Sequence, residues 1–493
     1  MKFIAFKDGK IAKDFKLTGA YLFGADSVPL RLAGKLRIKQ GVIETDYKGT
    51  DTVGLSLLWP SEGFGSILLS TTRLLPRKRP YILNVELARA KLMQITLKRE
   101  EWALFDENDK IADFANQAQS FFIEALKVIS DPSKASILAD KSLRKSILFS
   151  ERLAAKNADM FLAARCKAKG LGRHSLGCKV SPEFLVSELY RKRLFEMFCF
   201  VTIPVSWAKL QPEPGRFDFS SIDNCLEYFS GRRLAICAGP LLCFTKNNLP
   251  PWLLQKKISF ENIREAAYNF VSAIVARYYG KIHAWQVISG VNALNLFGFN
   301  HEQTMEITRT ACLAARAADP KSKSRKIVEI LYPWGEYYTV KKDSIPPRIY
   351  GDMVVQNSIP LDAFGIKMHF GINQMGFQVR DMMEISCRLD SFAALSKPLH
   401  ITGVAVPAVP SKPNPNEIAG VWHKPWSPQV QAEWIEQFYK IALGKNAIQS
   451  VTYSSLADYN NMDIPFSGLL NDQLGQKKAF VSVGKLQKVI LKK

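Results

Sequence analysis

The sequence lacks the segments that direct a chain to or through a membrane. No apolar run approaches the ~20 residues needed to cross a bilayer. The first residues, MKFIAFKDGKIAKDF, contain no apolar segment followed by a small-residue cleavage site, so the sequence predicts no secretory signal. We therefore expect a cytoplasmic protein without a membrane partner.

Nucleotide-binding and metal-binding signatures are also absent. No G-x-G-x-x-G opens a helix and there is no Walker A sequence, so a phosphate-binding sheet is not expected. The eight cysteines form no C-x-x-C pair, and none has zinc-type spacing with a histidine. Several, such as Cys237 in LAICAGP, lie in apolar runs, which predicts buried thiols and no disulfide framework. We expect no metal and no cofactor.

The charge is strongly one-sided, with 67 Lys and Arg against 45 Asp and Glu and a net charge of +22. Such a chain can attract nucleic acid, anionic lipid or an anionic polymer. However, the densest basic cluster is only Arg77–Arg79 in PRKRP, the other basic residues are interleaved with acids, and no nucleic-acid motif occurs. A solvated basic surface without a nucleic-acid partner is expected, and an anionic polysaccharide is kept as the alternative.

Three regions differ in their pattern, within the two to four domains that 493 residues suggest at roughly 100–200 residues each. Residues 1–110 contain short apolar runs divided by Gly, Pro and Ser, such as GSILLSTTRLL, RPYILNVELARAKLMQITL and WALFD. These runs predict a β-rich, sandwich-like domain. Residues 111–160 lack glycine and have apolar residues three and four apart. They predict a connector of two helices broken where Asp131 precedes Pro132.

Residues 161–493 alternate between apolar strand-like runs and amphipathic helices. This alternation predicts a parallel α/β architecture, and the missing phosphate fingerprint favours a (β/α)₈ TIM barrel over a dinucleotide-binding sheet. Gly403 interrupts one strand-like run, HITGVAVP (400–407), where a glycine predicts a bulge or a close approach to the backbone. In such a barrel, ligand-handling residues lie at the carboxyl ends of the strands, and Gly403 falls at such an end.

Seven segments of this region occur in a familiar order. They are VTIPVSWAKLQPEPGRFDFSSID, LPPWL, YYGKIHAWQVIS, AARAADPKSK, DAFGIKMHF, KPLHITGVAVP and KKAF. Together they resemble glycoside hydrolase family 10, the endo-1,4-β-xylanase family, over roughly residues 165–485. The resemblance implies a (β/α)₈ barrel, a place in polysaccharide metabolism and retaining hydrolysis of β-1,4-linked xylan.

Retaining hydrolysis needs one carboxyl group as proton donor and a second as nucleophile, about 5–5.5 Å apart. By the resemblance, the first would close the run at residues 285–290 and the second would follow Ile401 and Thr402. Both positions are glycine here, Gly290 and Gly403. Without a nucleophile the covalent step is lost, and a missing general acid alone typically costs ~10²–10⁴ in rate.

Other family positions have changed as well. Ile203, Ser206 and Leu241 stand where the resemblance implies sugar-binding polar groups, and Thr245 stands where it implies a Trp. Residues that remain candidates for substrate binding are polar or aromatic. They are Trp207, Trp252, Trp285, Ser289, Lys367, His369, Trp422, Trp426 and Tyr453. Exposed tryptophans suit sugar faces, but barrel packing is the alternative for the tryptophans, and a core histidine is the alternative for His369. His283 and His400 are predicted to be structural.

Three functions therefore remain open. The first is a carbohydrate-binding pseudoenzyme that holds a β-1,4-xylan-like or anionic glycan without cutting it. The second is an active hydrolase with a different substrate or with rebuilt carboxylates. Glu329, Asp362 and Asp458 are the candidates, although a structural or solvated acid is the favoured interpretation of each. The third is a non-catalytic scaffold. The N-terminal domain is either a carbohydrate-binding sandwich or a structural cap, because a fold alone does not define a function.

Overall fold

The computed structural model describes residues 1–13, 16–17, 19–31, 36–102, 111–172, 174–255, 258–341, 343–410 and 419–491. The chain begins with short strands, which end at Ile82. They are β1 (Lys2–Ile4), β2 (Phe6–Lys7), β3 (Lys10–Ile11), β4 (Tyr21–Phe23), β5 (Leu36–Lys39), β6 (Val42–Thr45), β7 (Gly54–Ser61), β8 (Gly65–Ser70) and β9 (Tyr81–Ile82). They form one sheet in the order β5-β6-β1-β9, a second in the order β4-β7-β8, and the pair β2-β3. The predicted β-rich region is therefore present.

The run RPYILNVELARAKLMQITL does not extend this β region, contrary to the sequence prediction. Most of it forms helix α1 (Leu83–Trp102), and the end of WALFD lies outside the described residues. The buried positions Leu83, Leu87, Lys91 and Ile95 are four residues apart, which is the spacing of one helix face. Leu, Ala, Glu, Lys and Arg dominate the run, and these residues favour helix over strand. The strand prediction was wrong because it weighed apolar content above this period.

The predicted helical break is confirmed. Helix α2 (Ala112–Lys127) ends before it, and helix α3 (Pro132–Lys167) begins after it. The Asp131 side chain caps α3 by accepting a hydrogen bond from the Lys134 amide at 3.2 Å, with Pro132 at the first helical position. Helix α3 is 36 residues long and therefore reaches from the N-terminal region to the barrel.

The remainder of the chain forms a closed barrel of eight parallel strands, as the sequence predicts. They are β10 (Leu176–Lys179), β11 (Phe200–Ile203), β12 (Ala235–Ala238), β13 (Ala284–Ser289), β14 (Arg325–Ile330), β15 (Ala363–His369), β16 (Leu399–Ala405) and β17 (Ile448–Tyr453). Strand β17 pairs with β10 and closes the barrel. Helices lie between the strands and after the last one. They are α4 (Glu188–Met197), α5 (Trp207–Leu210), α6 (Ser220–Phe229), α7 (Phe260–Arg277), α8 (His301–Ala317), α9 (Glu336–Val340), α10 (Pro347–Gln356), α11 (Met382–Ala393), α12 (Pro428–Gly444) and α13 (Lys478–Leu491).

The N-terminal region packs directly on the barrel. The buried Lys91 of α1 forms an ion pair with Asp381 at the start of α11, with 2.7 Å between Nζ and Oδ1. The Leu68 amide of β8 donates to the Val379 carbonyl at 2.9 Å, and α3 packs against α11 and α12. Buried apolar side chains of both regions belong to one continuous core. The N-terminal region therefore shares its core with the barrel.

The described residues were also compared with the requirements for disulfide bonds, membrane spans and metal sites. All eight cysteines are described, and none is in a disulfide bond. No described helix combines the length and apolar character required for a membrane span. Within the described residues, no group of three or more His, Cys, Asp or Glu side chains is arranged to hold a metal ion.

Candidate functional site

A cavity of about 860 Å³ opens where the parallel barrel strands end. Lys179 at the end of β10, Ser289 at the end of β13 and His369 at the end of β15 all line it, as does Ser454 directly after β17. In TIM barrels, the side chains that act on a ligand converge at this carboxyl end. The cavity is therefore the candidate site.

Gly403 lines the cavity at a bulge in β16, as its position in the strand predicts. Ile366 of β15 pairs with Ile401 and Lys367 pairs with Gly403, so Thr402 is the extra residue. A Cβ on Gly403 would lie 3.0 Å from Ser454 Oγ and 3.2 Å from Lys367 Cγ. Neighbouring side chains therefore closely surround the place where a residue-403 side chain would begin.

Gly290 lies at the end of β13 and has a backbone that other residues rarely adopt. Its φ of +64° is in the left-handed region, and a Cβ there would approach Leu331 Cδ1 to 2.4 Å. The Gly290 amide donates to the Glu329 carbonyl at 3.0 Å, and its own carbonyl accepts from the Ala293 and Leu294 amides. The local backbone is thus a tight turn that depends on glycine.

Three carboxylates line this cavity, those of Glu183, Glu329 and Asp463, and Glu183 is exposed. Glu329 of β14 is 5% exposed and accepts a hydrogen bond from the Ser289 hydroxyl at 2.6 Å. Asp463 lies 2.9 Å from Lys367, measured from Oδ2 to Nζ, and the lysine charge holds the pKa of Asp463 well below its usual range. Burial lowers the pKa of Lys367, but the carboxylates of Asp463 and Glu329 outweigh burial and the net shift is upward.

His369 and Ser454 form a pair beside Gly403. His369 Nε2 lies 2.7 Å from Ser454 Oγ, and His369 Nδ1 has no hydrogen-bond partner among the described residues. Burial and the Lys367 charge hold the pKa of His369 well below its ordinary value. The imidazole is therefore neutral at neutral pH, and it acts in the site as a hydrogen-bonding group.

Comparison with known proteins supplies the family. The sequence profile of Glycosyl hydrolase family 10 matches residues 166–483. This chain belongs to glycosyl hydrolase family 10. It is 25% identical over 261 residues to an endo-1,4-beta-xylanase of Geobacillus stearothermophilus. This alignment covers 50% of this chain and 74% of that protein. It is 28% identical over 220 residues to endo-1,4-beta-xylanase A of Phanerodontia chrysosporium, covering 42% of this chain and 49% of that protein.

Solved structures agree with the family at the level of the fold. A GH10 endoxylanase retrieved from a sugarcane soil metagenome has a TM-score of 0.50 at 18% identity, covering 64% of this chain and 96% of that chain. A xylanase from Paenibacillus barcinonensis, complexed with a conduramine derivative, has a TM-score of 0.50 at 16% identity, covering 65% and 97%. The family 10 barrel predicted from the sequence is thereby confirmed.

Of the nine predicted substrate-binding residues, Ser289, Lys367 and His369 line the cavity of this family 10 protein, and the six aromatic residues do not. Trp207 is 1% exposed and stacks on Phe270 with ring centroids 4.7 Å apart. Trp285 is buried in β13, and the buried Tyr453 hydroxyl donates to the Ser467 carbonyl at 2.6 Å. These three side chains serve the core, so their prediction as sugar contacts was wrong.

The remaining tryptophans are also held by the protein. Trp252 is half-buried and donates from Nε1 to the Gln211 carbonyl at 3.1 Å. Trp422 is buried and donates from Nε1 to Glu151 of α3 at 3.0 Å, and Trp426 is buried beside Gly371. The predicted sugar contacts of Trp422 and Trp426 are corrected, because the loop that carries them packs inward, whereas that of Trp252 stays a prediction outside the cavity lining. The alternative of a packed loop is the correct one.

Two of the three carboxylates proposed as replacements lie outside the cavity. Asp362 precedes β15 at the amino end of the barrel, where it pairs with Arg316 at 2.7 Å and accepts from the Lys326 amide. Asp458 forms an ion pair with Lys477 and accepts from the Gly468 amide at 2.7 Å. Neither lines the site. Both acids have the structural role that was the favoured interpretation, and of the three candidate replacements only Glu329 lines the cavity.

The two histidines predicted to be structural are held by hydrogen bonds away from the cavity. His283 Nδ1 accepts from the Ile236 amide at 3.1 Å. His400 Nδ1 lies 2.7 Å from Ser450 Oγ, and burial lowers the pKa of His400 to about 4. Both contacts lie at the amino-terminal side of the barrel strands, as a structural role requires.

Several lining residues were missed by the sequence analysis. Lys179 directly follows the apolar LGC of β10, and a polar residue at a strand end is a usable signal. Asp463 and Tyr459 lie in the loop YNNMDIP after β17, which has no periodic pattern to reveal them. Tyr332 follows β14 and stacks on Tyr337 with centroids 4.2 Å apart.

Proposed function

We propose that this family 10 protein binds a β-1,4-linked glycan of the xylan type in the cavity and does not hydrolyse it. The choice of glycan rests on the relatives, which are endo-1,4-beta-xylanases. The observation that carries the proposal is the pair Gly290 and Gly403, which stand at the strand ends where the family resemblance implies the two catalytic carboxylates. Glycine offers neither a proton donor nor a nucleophile.

The acids that remain in the cavity are poorly suited to rebuild this chemistry. A general acid must carry a proton at the working pH, whereas Lys367 favours the ionised form of Asp463. The hydroxyl of Ser289 donates a hydrogen bond to Glu329 at 2.6 Å. Asp463 is therefore a poor general acid, and neither Glu183 nor Glu329 stands at the end of β13 or β16, where the family resemblance implies the catalytic pair.

Binding, in contrast, is supported by the shape and lining of the cavity. Tyr332, Phe377 and Tyr459 give it aromatic surface, and Gln286, Ser289 and Asn248 give it neutral polar groups. A concave site with apolar rings and a few polar groups is typical of ligand pockets, and aromatic rings suit sugar faces. We assign the N-terminal region a structural role, because its helices are tied to the barrel by buried contacts.

Calorimetric titration with xylohexaose tests this proposal. Tyr459 is 41% exposed at the cavity, and Tyr268 of α7 is 42% exposed outside the cavity lining, so the two residues form a matched pair. We expect Tyr459→Ala to weaken binding by about 2- to 12-fold, the equivalent of about 0.5–1.5 kcal/mol for a stacking contact. Tyr268→Ala should leave the affinity unchanged. No binding by the unmodified protein would contradict the proposal and favour the scaffold alternative.

A further inference from the structure

Four consecutive barrel strands present a distinctive set of residues to the cavity. In barrel order they are Lys367 on β15, Gly403 on β16, Ser454 directly after β17 and Lys179 on β10. Because Gly403 has no side chain, the space beside the Ser454 hydroxyl and Lys367 Cγ, which would lie 3.0 and 3.2 Å from a Cβ, stays unfilled, and Lys179 lines the same cavity. We call these four residues the lysine-flanked gap.

The positive charges around the gap are incompletely neutralised. Within the described part of the chain, no carboxylate lies within 4.0 Å of the Lys179 ammonium group. Lys367 has Asp463 as its partner, but the Asp463 side chain is 70% exposed and belongs to the loop after β17. A ligand can therefore compete with Asp463 for Lys367, and it can give Lys179 a direct ion pair in place of the more distant charges of Glu329 and Asp463.

We propose that the lysine-flanked gap binds the carboxylate of a hexuronate residue in the glycan. The inference rests on the proposed function, because it assumes that the cavity holds an oligosaccharide. A carboxylate from the ligand would lie in the cavity beside Gly403, where Lys367, Lys179 and the Ser454 hydroxyl line the same space. Charge-assisted hydrogen bonds of this kind are stronger than those to neutral sugar hydroxyls.

The state of Lys179 agrees with this assignment. Burial and the neighbouring Lys367 lower the pKa of Lys179 and outweigh the upward effect of Glu329 and Asp463, so two like charges lie near each other in a poorly hydrated region. A bound anion would relieve this repulsion, whereas a neutral sugar would leave it in place. The cavity should therefore discriminate between acidic and neutral forms of the same oligosaccharide.

Three ligands separate this inference from the proposed function. They are xylotetraose with one glucuronate branch, the same molecule after reduction of its carboxyl group, and unsubstituted xylotetraose. We expect the acidic ligand to bind the unmodified protein about ten- to a hundredfold more tightly than its reduced form, the range of a hydrogen bond to a charged group. Acetate alone should bind far more weakly, because it lacks the sugar contacts. Added salt should reduce the preference.

Amino-acid substitutions identify the residues responsible for the preference for the acidic ligand over its reduced form. Lys179→Met should abolish most of the preference for the acidic ligand over its reduced form, and a cooperative urea-unfolding transition shows that the variant is folded. Lys321→Met, at an exposed lysine outside the cavity lining, is the matched control and should keep the preference. Asp463→Asn should increase it by removing the competitor for Lys367. Gly403→Glu should abolish it by placing a carboxylate in the gap.

The outcomes divide as follows. Equal affinity for the acidic and the reduced ligand would overturn the uronate inference and leave the proposed function standing. A preference that survives both Lys179→Met and Gly403→Glu would also overturn it, because the anion would then bind elsewhere. Failure of all three oligosaccharides to bind would overturn the inference together with the proposed function.

Discussion

Gly290 gives the sharpest test of the proposal that this protein lacks the family 10 chemistry, because a side chain at position 290 should be hard to accommodate. A side chain at this position meets two separate costs. A residue other than glycine in the left-handed region costs about 1–2 kcal/mol, and the Gly290 φ is +64°. The added Cβ would also lie 2.4 Å from Leu331 Cδ1 and 2.7 Å from its Cγ, and overpacking of this kind costs about 1–3 kcal/mol.

We therefore expect Gly290→Ala to lower the free energy of unfolding by about 2–5 kcal/mol. The assay is urea-induced unfolding followed by tryptophan fluorescence, with the transition midpoint compared at constant slope. Gly403→Ala is the matched control. Its backbone is outside the left-handed region and its nearest neighbour is a rotatable hydroxyl, so a change of no more than about 1 kcal/mol is expected.

The backbone strain and crowding at position 290 also bear on the double variant Gly290→Glu, Gly403→Glu, which should have little or no xylanase activity. The glutamate at 290 would be added to a strained and crowded turn, and the polar anchors absent at Ile203, Ser206 and Leu241 would still be missing. A Gly290→Ala variant as stable as the unmodified protein would contradict the predicted cost of the left-handed backbone and of the contact with Leu331. Rapid xylan cleavage by the double variant would show that the cavity still binds xylan productively without polar anchors at positions 203, 206 and 241.

Three further predictions concern the contacts that hold the site in place. Lys91→Met leaves the buried Asp381 carboxylate without its ion-pair partner, so the free energy of unfolding should fall by about 3–5 kcal/mol in the urea assay. An unchanged midpoint would contradict a stabilising ion pair between α1 and α11. Burial lowers the pKa of His423, but the Glu151 carboxylate outweighs it and the net shift is upward. The stability of the unmodified protein relative to His423→Gln should therefore be greatest below the ordinary histidine pKa of about 6.5 and decline as the pH rises through the raised value, whereas a pH-independent difference would contradict the contact. Trp207→Phe should lower the free energy of unfolding by about 1–3 kcal/mol without changing glycan affinity, and a selective loss of affinity would return Trp207 to the binding site.

The barrel was predictable from the sequence because its signal is repetitive. Eight apolar strands each precede or follow an amphipathic helix, and no single element has to be read correctly for the pattern to emerge. Helix α1 was misread because apolar content in a short run does not distinguish a strand from a buried helix. The spacing of Leu83, Leu87 and Ile95, in multiples of four residues, indicates a helix with one buried face.

The site was predictable where it depends on strand ends and not where it depends on loops. Gly403, Lys367 and His369 lie on β15 and β16, whose carboxyl ends must meet at the barrel mouth. Asp463 reaches Lys367 from a loop, and its neighbour in space is 96 residues away in the chain. The tryptophans were overestimated because their type suits both a sugar platform and a core, and only burial separates these roles.

The central claim is that the cavity holds a glycan without cutting it, and the fate of a bound ligand tests this most directly. The protein at stoichiometric concentration would be incubated with xylohexaose for several days, and the sugars would be identified by chromatography and mass spectrometry beside a calorimetric titration of the same sample. The account predicts saturable binding and recovery of intact xylohexaose. Shorter xylo-oligosaccharides that no longer form in a Glu329→Gln variant would contradict it, because they would show that the cavity carries its own catalytic carboxylate.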